Sequence, residues 1–243
     1  MLGPILLILT TLCYAVSHSL VKWYGADVHV IQFAFARFII APIILVPWFL
    51  LLKKEFTIHN WKLISLRTSF GIIGMLLYFW ALTIGNPGKV SLIFQTSSIW
   101  AVFLAKYIFN ERLSKLSIIV LPFTFIGLAM ITGHTTGSLS FKAGIIALFA
   151  SLMNTGVYLS LKSLRVKHNA DSIMMANYSL SSLILFIPSI TLPAPKYTSS
   201  IILGLLIISL IGFFGNFMMT IGFKYTSSNI ASILMTLTVP WMY

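Results

Sequence analysis

From Leu2 to Tyr243 the chain alternates long apolar stretches with short polar connectors, and the stretches are each close to twenty residues. A helix rises about 1.5 Å per residue and needs about 20 apolar residues to cross about 30 Å of hydrocarbon. Nine stretches meet that length: 3–23, 31–52, 66–84, 88–107, 116–133, 142–162, 172–192, 200–223 and 227–243. Breakers mark several joints. Gly85-Asn86-Pro87-Gly88 separates the third and fourth stretches, and Pro193-Ala194-Pro195 the seventh and eighth. The first of these connectors is short enough to force a tight antiparallel pair.

Composition agrees: 58% of residues are hydrophobic, 8% are charged, and the mean hydropathy is +0.99. The net charge of +12 does not describe a nucleic-acid surface, because the cations sit singly or in small groups at span ends. Eleven fall in one set of connectors and flanks (Lys53, Lys54, Lys62, Arg67, Lys106, Arg112, Lys115, Lys162, Arg165, Lys167, Lys224) and four in the other (Lys22, Lys89, Lys142, Lys196). That bias predicts a cytoplasmic N-terminus and a multi-pass protein of the cell (inner) membrane. Met1 to Tyr14 has neither a basic leader nor a small-residue cleavage site, so it reads as an uncleaved first span. Cys13 is the one cysteine and forms no intrachain disulfide.

Laid over itself, residues 70–102 meet 211–243 at an offset of 141: Gly71 meets Gly212, Gly74 meets Gly215, Ser91 meets Ser232 and Trp100 meets Trp241. An offset of 140 places Lys22 over Lys162, Ala36 over Ala176 and Phe38 over Tyr178. The offset spans five helices, an odd number, so two such units face opposite ways across the membrane. This is the inverted-repeat plan of many secondary transporters.

The chain resembles the EamA-type members of the drug/metabolite transporter superfamily. The resemblance runs through Arg37-Phe38 in the second span, Asn110-Glu111-Arg112-Leu113-Ser114 at the inner end of the fourth, Gly127 in the fifth, and Pro240 before Trp241. It implies an all-α integral membrane fold of ten helices in two inverted five-helix repeats. Residues 1–135 would form the first repeat and 141–243 the second. The equivalent of Glu111 would fall beyond Tyr243, so nine helices are expected here, with the ninth cut short and the tenth missing.

Four acidic residues, Asp27, Glu55, Glu111 and Asp171, all lie in connectors or at span ends, which leaves no carboxylate for a membrane-embedded proton relay. His18 and Arg37 lie about 8 and 10 Å from the outer ends of their spans, depths that let them border one outward cavity. A mid-membrane arginine costs about 2.5–3.5 kcal/mol on insertion scales, and an anionic substrate group would compensate it; bonding to backbone carbonyls or snorkelling to headgroups is the structural alternative. Tyr158 and Asn177 take the positions of His18 and Arg37 in the second repeat, where inversion carries them towards the cytoplasm. Gln95, Asn154 and Asn216 add amides that bond a polar ligand without burying charge. Tyr78 and Trp80 complete the candidates as aromatic faces for flat or cationic solutes. Gly71, Gly74, Gly212 and Gly215 read as close helix contacts.

These features favour a secondary transporter for a small polar metabolite, amino-acid-like or nucleoside-like, working by alternating access as a uniporter or exchanger. Proton-coupled efflux and an inactive membrane remnant are the alternatives. An integral-membrane enzyme is disfavoured: the chain has no HExxH, no paired aspartates, no GxSxG and no metal-ligand cluster, and no catalytic residue, metal or cofactor is assigned. The expected partners are the lipid bilayer and a small-molecule substrate, not nucleic acid; pairing into a homodimer stays open.

Overall fold

The computed structural model describes residues 2–24, 27–109, 119, 122–127, 129–130, 140–193 and 198–242. Among them there is helix and no strand. The helices are α1 (Leu2–Tyr24), α2 (Val30–Leu51), α3 (Trp61–Ile84), α4 (Pro87–Phe94), α5 (Ser97–Phe109), α6 (Phe141–Lys167), α7 (Ala170–Thr191), α8 (Ser199–Tyr225) and α9 (Ser228–Met235). Seven spans among the described residues are long and apolar enough to cross a membrane, counting Pro87–Phe109 as one. Gly127 is helical. Half of the expected fifth span, the Asn110–Ser114 motif, and residues 194–197 and 243 lie outside the described residues.

The outer surface is what a bilayer requires. Trp23, Leu51 and Phe141 are at least 80% exposed, and Leu50, Leu183 and Ile187 are also well exposed. Burial of an apolar residue in lipid and burial in protein are nearly equivalent, so close packing has to come from small residues and polar bonds. That is where it comes from here. On α1, Thr10 Oγ1 donates to Gly215 O, and a Cβ on Gly215 would meet Cys13 Cβ at 3.0 Å. On α6, Met153 Cβ would stand 3.0 Å from a Cβ on Gly74 of α3.

Contacts along these pairs fix the directions. Gly3 packs by Thr226, Thr10 by Gly215 and Tyr24 by Gly204, so α1 and α8 are antiparallel. Gly71 lies by Val157, Gly74 by Met153 and Gly85 by Ala143, so α3 and α6 are antiparallel too. Lys22, late in α1, donates to Thr83 O at 3.0 Å and Gly85 O at 3.1 Å, which brings the C-terminal ends of α1 and α3 together. Lys162, late in α6, donates to Phe223 O at 3.4 Å and Thr226 O at 2.7 Å, which does the same for α6 and α8. It follows that α1 and α6 run in opposite directions, as do α3 and α8. Between the pairs α2 crosses α7, with Phe38 edge-on to Tyr178 at 5.2 Å and Gln32 Nε2 donating to Pro193 O. The ion pair Lys54–Asp171 joins their other ends.

Two expected spans differ in the structure. The stretch 88–107 is interrupted at Gln95-Thr96, which splits it into α4 and α5. The stretch 227–243 is helical only over α9 and continues as 3-10 turns at Thr236–Thr238 and Pro240–Met242. Both breaks fall where hydroxyl and amide side chains compete with the backbone for its own bonds. Thr96 Oγ1 donates to Ile93 O, and Thr236 Oγ1 to Ile233 O, both at 2.7 Å. Non-helical backbone at membrane depth persists where protein satisfies it. Thr155 Oγ1 donates to Ser97 O, while Gln95 Nε2 and Thr238 Oγ1 both donate to Met235 O. Ser98 Oγ donates to Ser232 O at 2.6 Å, so the two interrupted helices are bonded to each other.

Candidate functional site

Between the two antiparallel pairs, beside both breaks, lies a cavity of about 100 Å³. That is room for several waters or a compact polar group. Helix periodicity decides which side chains reach it. On α3 the lining residues are Arg67, Phe70, Gly71, Gly74, Met75, Tyr78 and Phe79, a stripe repeating every three or four positions. Tyr14 and His18 line it from α1 at the same spacing, as do Asn154, Val157 and Tyr158 from α6. Arg37 of α2, Gln95 at the α4–α5 break, Asn177 of α7 and Asn216 of α8 close the ring.

Of the nine candidates named from the sequence, eight line this cavity: His18, Arg37, Tyr78, Gln95, Asn154, Tyr158, Asn177 and Asn216. His18 and Tyr158, and Arg37 and Asn177, share this one chamber despite the different depths expected of them. Trp80 does not reach it. Two residues along a helix is a turn of about 200°, so Trp80 faces the opposite side from Tyr78. There it is 40% exposed, with Lys142 Nζ 5.2 Å from its ring.

The polar side chains of the site fall into small hydrogen-bonded groups. Tyr78 Oη lies 2.8 Å from Ser91 Oγ and 3.3 Å from His18 Nδ1, while its ring stacks on Phe94 at 4.0 Å. His18 in turn stacks on Tyr14 at 5.6 Å, and Arg37 Cζ stands 5.3 Å from the Tyr14 ring. Arg37 Nη1 reaches Ser17 Oγ at 3.5 Å. Thr68 Oγ1 donates to Asn177 Oδ1 at 3.2 Å, and Asn154 Nδ2 to Ser97 Oγ at 3.0 Å. Gln95 Oε1 is buried without a hydrogen-bond partner.

Arg67 is the residue that sequence reasoning misplaced. The charge count assigns it to a span end, but it is 2% exposed and lines the cavity. The signal was available, since Arg67 stands eleven residues, about three turns, before Tyr78 on the same face. Gly212 is a close contact of a particular kind. A Cβ there would first meet the Arg37 guanidinium of α2, with Nε at 2.7 Å. Gly71 has nothing nearer than Val157, at 4.0 Å, so of the four glycines it is the one that is not a tight contact with another helix. Among the described residues no group of three or more His, Cys, Asp or Glu side chains could hold a metal ion.

Comparison with known proteins places this architecture. A crystal structure described only as that of a protein is similar over 99% of this chain and 84% of its own, with a TM-score of 0.75 at 15% identity. That likeness speaks to the fold alone. No curated protein matches. The model of the EamA-like transporter family matches residues 1–133. With a membrane-spanning helical bundle around a polar cavity and more than half its length matched, the chain belongs to the EamA-like transporter family.

Proposed function

We propose that the protein is a secondary transporter that carries a small polar metabolite across the inner membrane by alternating access. In this reading residues 1–135 and 141–243 are inverted repeats of a 5+5 fold, with the N-terminus in the cytoplasm. The observation that carries it is the polar cavity at the seam between α1–α8 and α3–α6, lined from both halves and flanked by two interrupted helices. Discontinuous helices beside a site at the repeat interface are the arrangement by which such carriers bind a solute from either side. Matching contacts support the duplication: Lys22 on Gly85 O answers to Lys162 on Thr226 O, and Gly74 beside Met153 to Gly215 beside Cys13. The substrate-binding residues are His18, Arg37, Tyr78, Gln95, Asn154, Tyr158, Asn177 and Asn216, to which the cavity adds Arg67.

Coupling to protons is not part of this reading, because among the described residues no carboxylate lines the cavity and His18 is its one imidazole. Purified protein in proteoliposomes should therefore exchange or take up solute with no pH gradient imposed. Strict dependence on a gradient overturns uniport or exchange, and no flux of any small polar solute overturns the carrier. Orientation is tested separately. With Cys13 replaced by serine, single cysteines at Lys54 or Arg165 should resist an impermeant thiol reagent outside intact cells, and labelling of both would invert the topology.

A further inference from the structure

Two guanidinium groups face one chamber. Arg37 is 5% exposed and Arg67 2%, and the Nε of each is buried without a hydrogen-bond partner. The bond from Arg37 Nη1 to Ser17 Oγ is long, at 3.5 Å, and the Tyr14 ring offers only its face. Among the described residues no acidic side chain lines the cavity. Asp27 and Glu55 are exposed and Asp171 is bound to Lys54, while Glu111 lies outside the described residues. A buried charge left without a partner is strongly destabilising, and a second like charge in the same low-dielectric space makes it worse. Protonated guanidinium cannot escape by giving up its proton, as lysine can. A ligand carrying negative charge would supply the missing partner, in the fork geometry that arginine matches best.

The rest of the lining narrows the ligand further. An ammonium group would find no carboxylate, and the aromatic face nearest Arg37 is already occupied by that cation. Gln95 Oε1, an unfilled acceptor, calls for a hydroxyl or amide donor on the solute. We propose that the solute is a small organic anion, its carboxylate groups held by Arg37 and Arg67, and that cations and amino-acid zwitterions are rejected. This inference rests on the carrier reading only for the word transport; the binding site stands apart from it.

The test uses the full chain purified in detergent, with lactate, succinate and glutarate, their corresponding amides, chloride and inorganic phosphate as probes, and affinity read by calorimetry. At least one carboxylate should bind, with its amide weaker by about tenfold or more, the worth of one charge-assisted hydrogen bond. Arg37→Gln and Arg67→Gln should each weaken that carboxylate by about tenfold or more. Both variants should melt no lower than the parent without ligand, because the charge removed faced no counter-charge; a purely structural arginine would lower the melting temperature. Should Arg67→Gln fail to fold, Arg67→Lys keeps the charge, loses the fork and should bind at intermediate strength. Amides binding as tightly as carboxylates, unchanged affinity in both glutamine variants, or binding of chloride or phosphate alone would overturn the proposal. Flux then separates the two readings. A carboxylate that binds but is not carried sinks the carrier and keeps the anion site; neutral solutes carried by a protein that binds no anion do the reverse.

Discussion

Lys22 seals the end of α3 through the carbonyls of Thr83 and Gly85, and Lys162, 140 residues later, seals the end of α8 through Phe223 and Thr226. Asn86 caps α4 and Ser227 caps α9 at an offset of 141, and both helices stop eight residues on, at Phe94 and Met235. Set beside this likeness, the cavity faces of the two halves diverge. Arg37 answers to Asn177, His18 to Tyr158, Tyr14 to Asn154, and Arg67 to Ile208. The contrast separates two kinds of constraint. Helix ends and crossings have few solutions in a bilayer, since each loose carbonyl and each bulky residue at a crossing is penalised in either orientation. On the carrier reading, lining residues answer to a solute instead, and a solute need not share the symmetry of the fold around it. Both arginines therefore belong to the first half, and the positive field in the chamber is lopsided.

The largest effect expected from breaking the likeness is at the lysines. Each ammonium donates to two carbonyls at a helix end, where cations are also favoured by the backbone dipole. Replacing either by methionine keeps the apolar stem and removes the bonds, which should destabilise the protein by about 2 kcal/mol, the range of a hydrogen bond to a charged group. Lys22→Met and Lys162→Met should lower the melting temperature in detergent by similar amounts, and a double variant should lose roughly the sum, since the two sites lie at opposite ends of the bundle. A large loss at Lys22 with none at Lys162 would show that the two bonds are only superficially alike.

How much of this was legible in one dimension follows from what each feature depends on. Span length depends on apolar run alone, so the seven spans, the tight Gly85-Asn86-Pro87 joint and the opposed directions of α1 and α6 could be read directly. Trp80 and Arg67 depended on angle around a helix. Marking residues at three- and four-residue steps back from Tyr78 would have dropped the first and gained the second. The break at Gln95-Thr96 carries neither proline nor glycine, and only the run Gln95-Thr96-Ser97-Ser98 hints that side chains will outbid the backbone there. What Gly212 touches could not be read at all, because its neighbour is a side chain from a helix 175 residues earlier.

Gly71 and Gly212 sharpen the comparison most finely, since they occupy matching positions and differ only in what stands opposite. At Gly71 an added methyl meets Val157 at 4.0 Å, ordinary contact at the cavity edge. At Gly212 it falls 2.7 Å from Arg37 Nε and 2.8 Å from Cζ, so the guanidinium has to move. A flexible side chain can yield where backbone cannot, and alanine is also the better helix former by about 1 kcal/mol. Gly212→Ala should therefore fold normally while pushing Arg37 out of the position it shares with Arg67 in the cavity lining. Binding of a carboxylate probe should fall by about tenfold, or 1.4 kcal/mol, with the melting temperature of the ligand-free protein unchanged. Gly71→Ala should change affinity by less than about twofold and melt slightly higher. If the two variants bind alike, the placement of Arg37 is not what the chamber uses, and the asymmetry between the halves loses its chemical meaning.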